Sequence, residues 1–201
     1  MSTNSPTPEN AAGFRLAVLV EGAMGLAAIG LAKLFEVSLR EQFAADPKVL
    51  WRGLVAGAIA TLPMFLLFWA MLESRWQPLV ELKRQVREMI RTLFPRAGLV
   101  ELAIIAVLAG VGEELLFRGV IQTLVGRWTS PLIGLVIASL IFGGLHAVSR
   151  LYFILATGIG AYLGWLLVQF DDLTVPIVAH ALYDFIALVY LTRTQESESS
   201  L

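Results

Sequence analysis

Gly98–Trp128 reads GLVELAIIAVLAGVGEELLFRGVIQTLVGRW. About 20 apolar residues cross ~30 Å of hydrocarbon, and this run exceeds that length. Yet Glu113, Glu114 and Arg118 stand near its middle. A charged side chain at the bilayer centre costs at least ~2.5–3.5 kcal/mol on insertion scales. A stretch too apolar for water and charged at its centre predicts a transmembrane helix that carries a functional site.

The rest of the chain agrees with a membrane protein. Its 201 residues are 57% hydrophobic and only 15% charged, with a mean hydropathy of +0.75. Soluble domains run at ~45–50% apolar and ~25% charged, and disorder requires the opposite bias. Fifteen Lys and Arg against sixteen Asp and Glu leave no basic excess for neutralising phosphates, so nucleic acid is excluded as a partner. There are no cysteines and two histidines. Disulfides, thiolate nucleophiles and Cys-ligated metals are thereby removed, and chemistry falls to carboxylates, imidazoles, arginine, hydroxyls and water.

The expected fold is all-α, a polytopic transmembrane helix bundle of about six spans plus an amphipathic interfacial helix. Residues 1–13 are polar and lack the basic start of a secretory signal, and they read as a disordered tail. Phe14–Leu34 and Gly53–Leu72 are the first two spans, joined by a charged connector over Glu36–Arg52, with Pro63 expected to kink the second. In Trp76–Phe94, Leu79, Leu82, Val86, Met89, Ile90 and Leu93 recur at helical spacing, with Lys83, Arg84, Arg87, Glu88 and Arg91 on the other faces. This pattern suits a helix in the membrane interface with its basic face toward lipid headgroups; packing against the bundle is the alternative.

The second half, residues 97–192, divides into Gly98–Trp128, Pro131–Val148, Leu151–Phe170 and Thr174–Thr192, and residues 193–201 form a polar tail. Gly53-x-x-x-Gly57 and Gly160-x-x-x-Gly164 are small-residue spacings that permit close helix approach. With the N-terminus inside, nine of the fifteen Lys and Arg fall on the inner side, most of them within Arg75–Arg96. The positive-inside rule therefore places both termini in the cytoplasm.

Ala97–Thr192 holds only nine charges. Arg127, Arg150, Asp171 and Asp172 mark span ends, and Glu101 lies near an entrance. Glu113, Glu114, Arg118 and Asp184 remain inside apolar sequence, joined there by His146 and His180. Glu114 and Arg118 are i, i+4 and can neutralise each other. Glu113, turned ~100° from Glu114, is left free of that pairing. His180 and Asp184 are again i, i+4, so Asp184 is expected to fix the tautomer of His180 and leave its other nitrogen facing the site. Phe142, one turn before His146, is expected to wall the pocket, and Gly143-Gly144 permits a local irregularity. Glu21 has no nameable partner and reads as structural.

Hydrolysis is the chemistry that these groups support. A glutamate in a low-dielectric site can act as general base on a water, and a histidine can hold that water or donate to an oxyanion. Two histidines and an acid could instead ligate a divalent metal such as zinc, the set being His146, His180 and Asp184, with Glu113 as base. There is no H-E-x-x-H, and no serine stands in a nucleophile context.

Three motifs carry a resemblance. Glu113–Arg118 fits E-E-x-x-x-R, Phe142–His146 fits F-x-x-x-H, and His180–Asp184 fits H-x-x-x-N/D, in order on successive apolar helices. Together they resemble the CAAX protease and bacteriocin-processing (CPBP, or Abi) family of intramembrane endopeptidases, which is related to the type-two prenyl-protein CAAX protease. The resemblance covers about Gly98–Thr192 and makes 97–192 a four-helix catalytic core. It implies a site inside the membrane in which Glu113 and His146 activate water. His180 and Asp184 would stabilise the oxyanion or complete the site, and Glu114 with Arg118 would support it. The family has been described both as metalloproteases and as metal-independent glutamate proteases. Two histidines supply few ligands, so no cofactor is favoured here. Prenyl proteases tend to carry Asn where this chain has Asp184; an ionised Asp cannot donate to an oxyanion, which weakens a prenyl substrate more than it weakens proteolysis.

The expected function is thus cleavage of a membrane-associated protein or peptide, at a CAAX-type tail, a sorting signal or a leader, in a prokaryotic inner membrane. The alternatives are a non-catalytic scaffold or immunity protein and, below that, a proton-coupled transporter, although no repeat supports the last. Straight spans would scatter Glu113, His146 and His180 over roughly 15 Å of depth at ~1.5 Å per residue. For catalysis the helices must therefore tilt, stagger or break.

Overall fold

A computed structural model describes residues 8–95 and 97–198, with side chains for 12–95 and 97–193. All regular elements among the described residues are helical. They are α1 (Pro8–Leu34), a 3-10 turn (Arg40–Gln42), α2 (Pro47–Glu73), α3 (Gln77–Leu93), α4 (Leu99–Glu114), a π-helical segment (Leu115–Gln122), α5 (Thr123–Trp128), α6 (Pro131–Leu145), α7 (Arg150–Phe170) and α8 (Thr174–Glu198).

Several boundaries differ from the sequence reading for local reasons. Pro8 is tolerated in a first helical turn, so α1 begins inside the stretch read as a disordered tail; residues 1–7 lie outside the described residues. Asp46 caps α2 by accepting from the Lys48 N–H at 2.8 Å, with Pro47 at its first position. The end of the expected charged connector is therefore helix. Pro63 lies inside α2, which continues across it. At the other end, α8 runs through residues 193–198 of the expected polar tail, and 199–201 lie outside the described residues.

Among the described residues, four helices are long and apolar enough to cross a membrane: Ala12–Leu34, Pro47–Glu73, Arg150–Phe170 and Thr174–Arg193. The continuous α4–π–α5 run and the apolar α6 complete the six expected segments. At 15 residues, α6 spans only ~22 Å at 1.5 Å per residue. The outer surface is apolar, with Leu26 72% and Leu66 63% exposed, as expected of a bundle solvated by lipid.

Small residues set the packing. A Cβ on Gly57 would lie 2.7 Å from the Val175 carbonyl oxygen and 2.6 Å from Val178 Cβ, so α2 and α8 approach through that glycine. α8 also packs on α4, α7 on α6, and α1 on α4 and the π segment. The α4–π run is thus wrapped by α1, α6 and α8.

The amphipathic α3 packs on the bundle, the alternative that its pattern allowed. Its apolar face packs on the bundle, where Ile90 and Phe94 cluster with Ile105 and Leu191. Its charged face is laced with pairs: Arg84 meets Glu81 at 2.6 Å and Glu88 at 2.7 Å. Hydrogen bonds from Arg84 and Gln85 hold the exposed Glu81 carboxyl down at about 2. Lys83, read from sequence as a headgroup contact, instead donates to the carbonyls of Leu72 and Ser74, each at 2.9 Å. It caps the C-terminus of α2.

Candidate active site

Glu113 and Glu114 end the α-helical part of α4, and the chain then widens into the π segment. Such widenings recur at functional sites. Being ~100° apart, the two side chains enter different surroundings. Glu114 is fully buried, and its Oε1 accepts from Arg118 NH1 at 2.7 Å and from His180 Nδ1 at 2.8 Å. Arg118 also donates to the Gly160 carbonyl at 2.9 Å. One π-segment step further, Gln122 donates to the Gly164 carbonyl at 3.0 Å. The Gly160/Gly164 pair therefore presents backbone carbonyls to two buried donors as well as permitting close approach.

His180 is approached by carboxylates at both ring nitrogens. Asp184 Oδ2 lies 3.4 Å from His180 Nε2, whereas Glu114 holds Nδ1 at hydrogen-bond distance. A carboxylate can only accept, so Nδ1 carries a proton and Glu114, from another helix, fixes the ring. Nε2 is the nitrogen left toward Asp184.

Glu113 faces the other way. It is 5% exposed, its Oε2 has no hydrogen-bond partner, and that oxygen stands 3.7 Å from His146 Nε2. His146 follows the last residue of α6 as its C-cap. Its Nδ1 donates to the Phe142 carbonyl at 2.8 Å, because a carbonyl cannot donate. Nε2 is then the nitrogen that faces the Glu113 carboxyl. α6 ends one residue before His146, and α4 turns π-helical one residue after Glu114. A broken helix and a widened one bring together groups that straight spans would scatter.

Phe142 joins the two halves. Its ring stacks on His146 at 4.5 Å between centroids, meets His180 edge-on at 5.9 Å and carries the Arg118 guanidinium 4.5 Å from its centroid.

Glu113, Phe142, His146, His180 and Asp184 all line one cavity of about 430 Å³. Glu114 and Arg118 lie behind its wall. Three lining features escaped the sequence reading. Glu21 of α1 reaches the cavity, as do Tyr152 and Tyr183, and so does the apolar face of α3 through Val86, Met89 and Ile90. For Glu21 the signal was present, a carboxyl inside an apolar span, but the groups that share its cavity lie on other helices. Among the described residues, no three His, Asp or Glu side chains are grouped to hold an ion.

Residues 95–186 match the family model described as type II CAAX prenyl endopeptidase Rce1-like. A 97-residue stretch is 36% identical to an uncharacterized protein, YpbD, of Bacillus subtilis (strain 168), covering 47% of this chain and 47% of that protein. The chain thus aligns with about half the length of this curated relative. No solved structure matches. The matched segment contains every residue of the two imidazole–carboxyl pairs, while α1, α2 and α3 lie before it.

Proposed function

Because residues 95–186 match the Rce1-like family of type II CAAX prenyl endopeptidases, we propose that this integral membrane protein is an endopeptidase. It would hydrolyse a peptide bond near the C-terminus or membrane boundary of a membrane-associated protein. One observation supports this most: Glu113 Oε2, which has no hydrogen-bond partner, faces His146 Nε2 across 3.7 Å. A carboxyl and an imidazole in that relation suit a water held between a base and a second polar group.

In this reading, water donates one O–H to Glu113 and the other to His146. Glu113 takes the proton as the oxygen bonds to the scissile carbonyl carbon. His180 keeps its Nδ1 proton against Glu114. In its doubly protonated form it offers Nε2–H to the developing oxyanion, and Asp184 balances the charge. Glu114 and Arg118 position His180 from behind the wall, and Phe142 holds both imidazoles. The cavity falls within the usual ~300–1,000 Å³ of ligand sites, and its apolar α3 wall suits a hydrophobic tail. The proposed steps need no metal. A prokaryotic inner membrane with both termini in the cytoplasm completes the proposal.

The test uses purified protein in lipid vesicles with a prenylated C-terminal peptide, the cleaved product being identified by mass. The wild type is expected to shorten the tail in the presence of chelator, and His146→Ala and His180→Ala each to lose on the order of 10²-fold. Cleavage by both variants at the wild-type rate would overturn the proposed site. Activity that vanishes on chelation and returns with zinc would overturn the metal-free chemistry.

A further inference from the structure

α1 lies outside the family-matched segment, and Leu16, Leu19, Leu26 and Ile29 on it are exposed, as lipid-facing residues would be. Glu21 is the exception. A Cβ on Gly112 would lie 2.6 Å from the Glu21 carbonyl oxygen and 3.4 Å from Gly25 N. α1 therefore crosses α4 in backbone contact at the residue just before Glu113. The crossing delivers the Glu21 side chain into the cavity shared with Glu113, His180 and Asp184. There, Glu21 Oε2 is sealed from solvent and has no hydrogen-bond partner. A carboxyl oxygen that no donor faces suits a group that carries a hydrogen itself. The mechanism above leaves one task unassigned, since the amine leaving a peptide bond must gain a proton as the C–N bond breaks.

We infer that Glu21 is a further catalytic residue of this site, the general acid that protonates the leaving amine. The inference rests on the proposed peptidase reading. The tetrahedral intermediate re-forms its carbonyl, and the C–N electron pair leaves on nitrogen. Nitrogen takes the Glu21 proton, and Glu113, holding the proton from water, returns it to Glu21 through the next water to enter. The net reaction is peptide plus water to acid plus amine.

The test compares two probes on purified protein in vesicles: the prenylated C-terminal peptide, and the same acyl peptide as a nitrophenyl ester, whose leaving group departs without a proton. Glu21→Gln and Glu21→Leu are each to be checked for normal folding by thermal melting. Both variants are expected to lose on the order of 10²-fold in kcat on the peptide while retaining ester hydrolysis within about threefold of the wild type, since general acid help is the part of the barrier removed. Equal losses on the two probes, or no loss on the peptide, would overturn the role of Glu21. Wild-type protein that cleaves neither probe would instead overturn the peptidase reading, so the two failures are distinguishable.

Discussion

Glu114 Oε1 receives Arg118 and His180 at once, at 2.7 and 2.8 Å, in a site closed to solvent. Such an oxygen orients a ring and neutralises a guanidinium in the same act. Removing one partner of a buried ion pair leaves an uncompensated charge, at a cost of about 3–5 kcal/mol. Arg118→Met is therefore expected to lower thermal stability by that amount, with reduced membrane abundance. Adding Glu114→Gln removes the orphaned charge and should restore most of the stability, yet peptidase activity should stay well below wild type, because His180 has lost its ionised anchor. A double variant as unstable as the single one would contradict this account. The i, i+4 pairing of Glu114 with Arg118 was legible in the sequence because it lies within one helix. The contact of His180 with Glu114, 66 residues away, was not, because only the folded chain brings them together.

At the scale of elements, the informative events are where helices stop being regular. α6 ends before His146, and α4 becomes π-helical after Glu114. Hydropathy marks an apolar run but is silent on whether its backbone stays α-helical, so the depth mismatch of straight spans signalled a break without locating it. Gly143-Gly144 came closest, lying at the end of α6. The glycine spacings read as packing features do pack, and Gly57 provides a test. Gly57→Val forces a side chain against Val175 and Val178, and overpacking of this kind costs about 1–3 kcal/mol. At Gly22 an added Cβ meets nothing within 4 Å, and Gly22→Ala should be neutral or stabilising by about 0.5–1 kcal/mol from helix propensity. Thermal melts in detergent separate the two, and equal shifts would contradict the packing described for α2 and α8. The face of α3 was equally legible as a pattern, but that it walls the cavity required the neighbouring helices.

For the whole molecule, six apolar segments were visible because hydropathy is a local property. Their convergence on one cavity was not, because each contact that builds it crosses between helices. Orientation is open to direct measurement in a chain without cysteine. If both termini are cytoplasmic, Ala45→Cys, between α1 and α2, should react with an impermeant maleimide on intact cells, and Gln77→Cys, at the start of α3, only after lysis. The reverse pattern would invert the topology.

The central claim is that Glu113 activates the hydrolytic water. The most direct measurement is single-turnover cleavage of the prenylated peptide by Glu113→Gln in vesicles, beside wild type at equal folded abundance. Glutamine keeps the size of the side chain and loses the base. A rate lower by on the order of 10³-fold is predicted, and a rate within about threefold of the wild type would contradict the account.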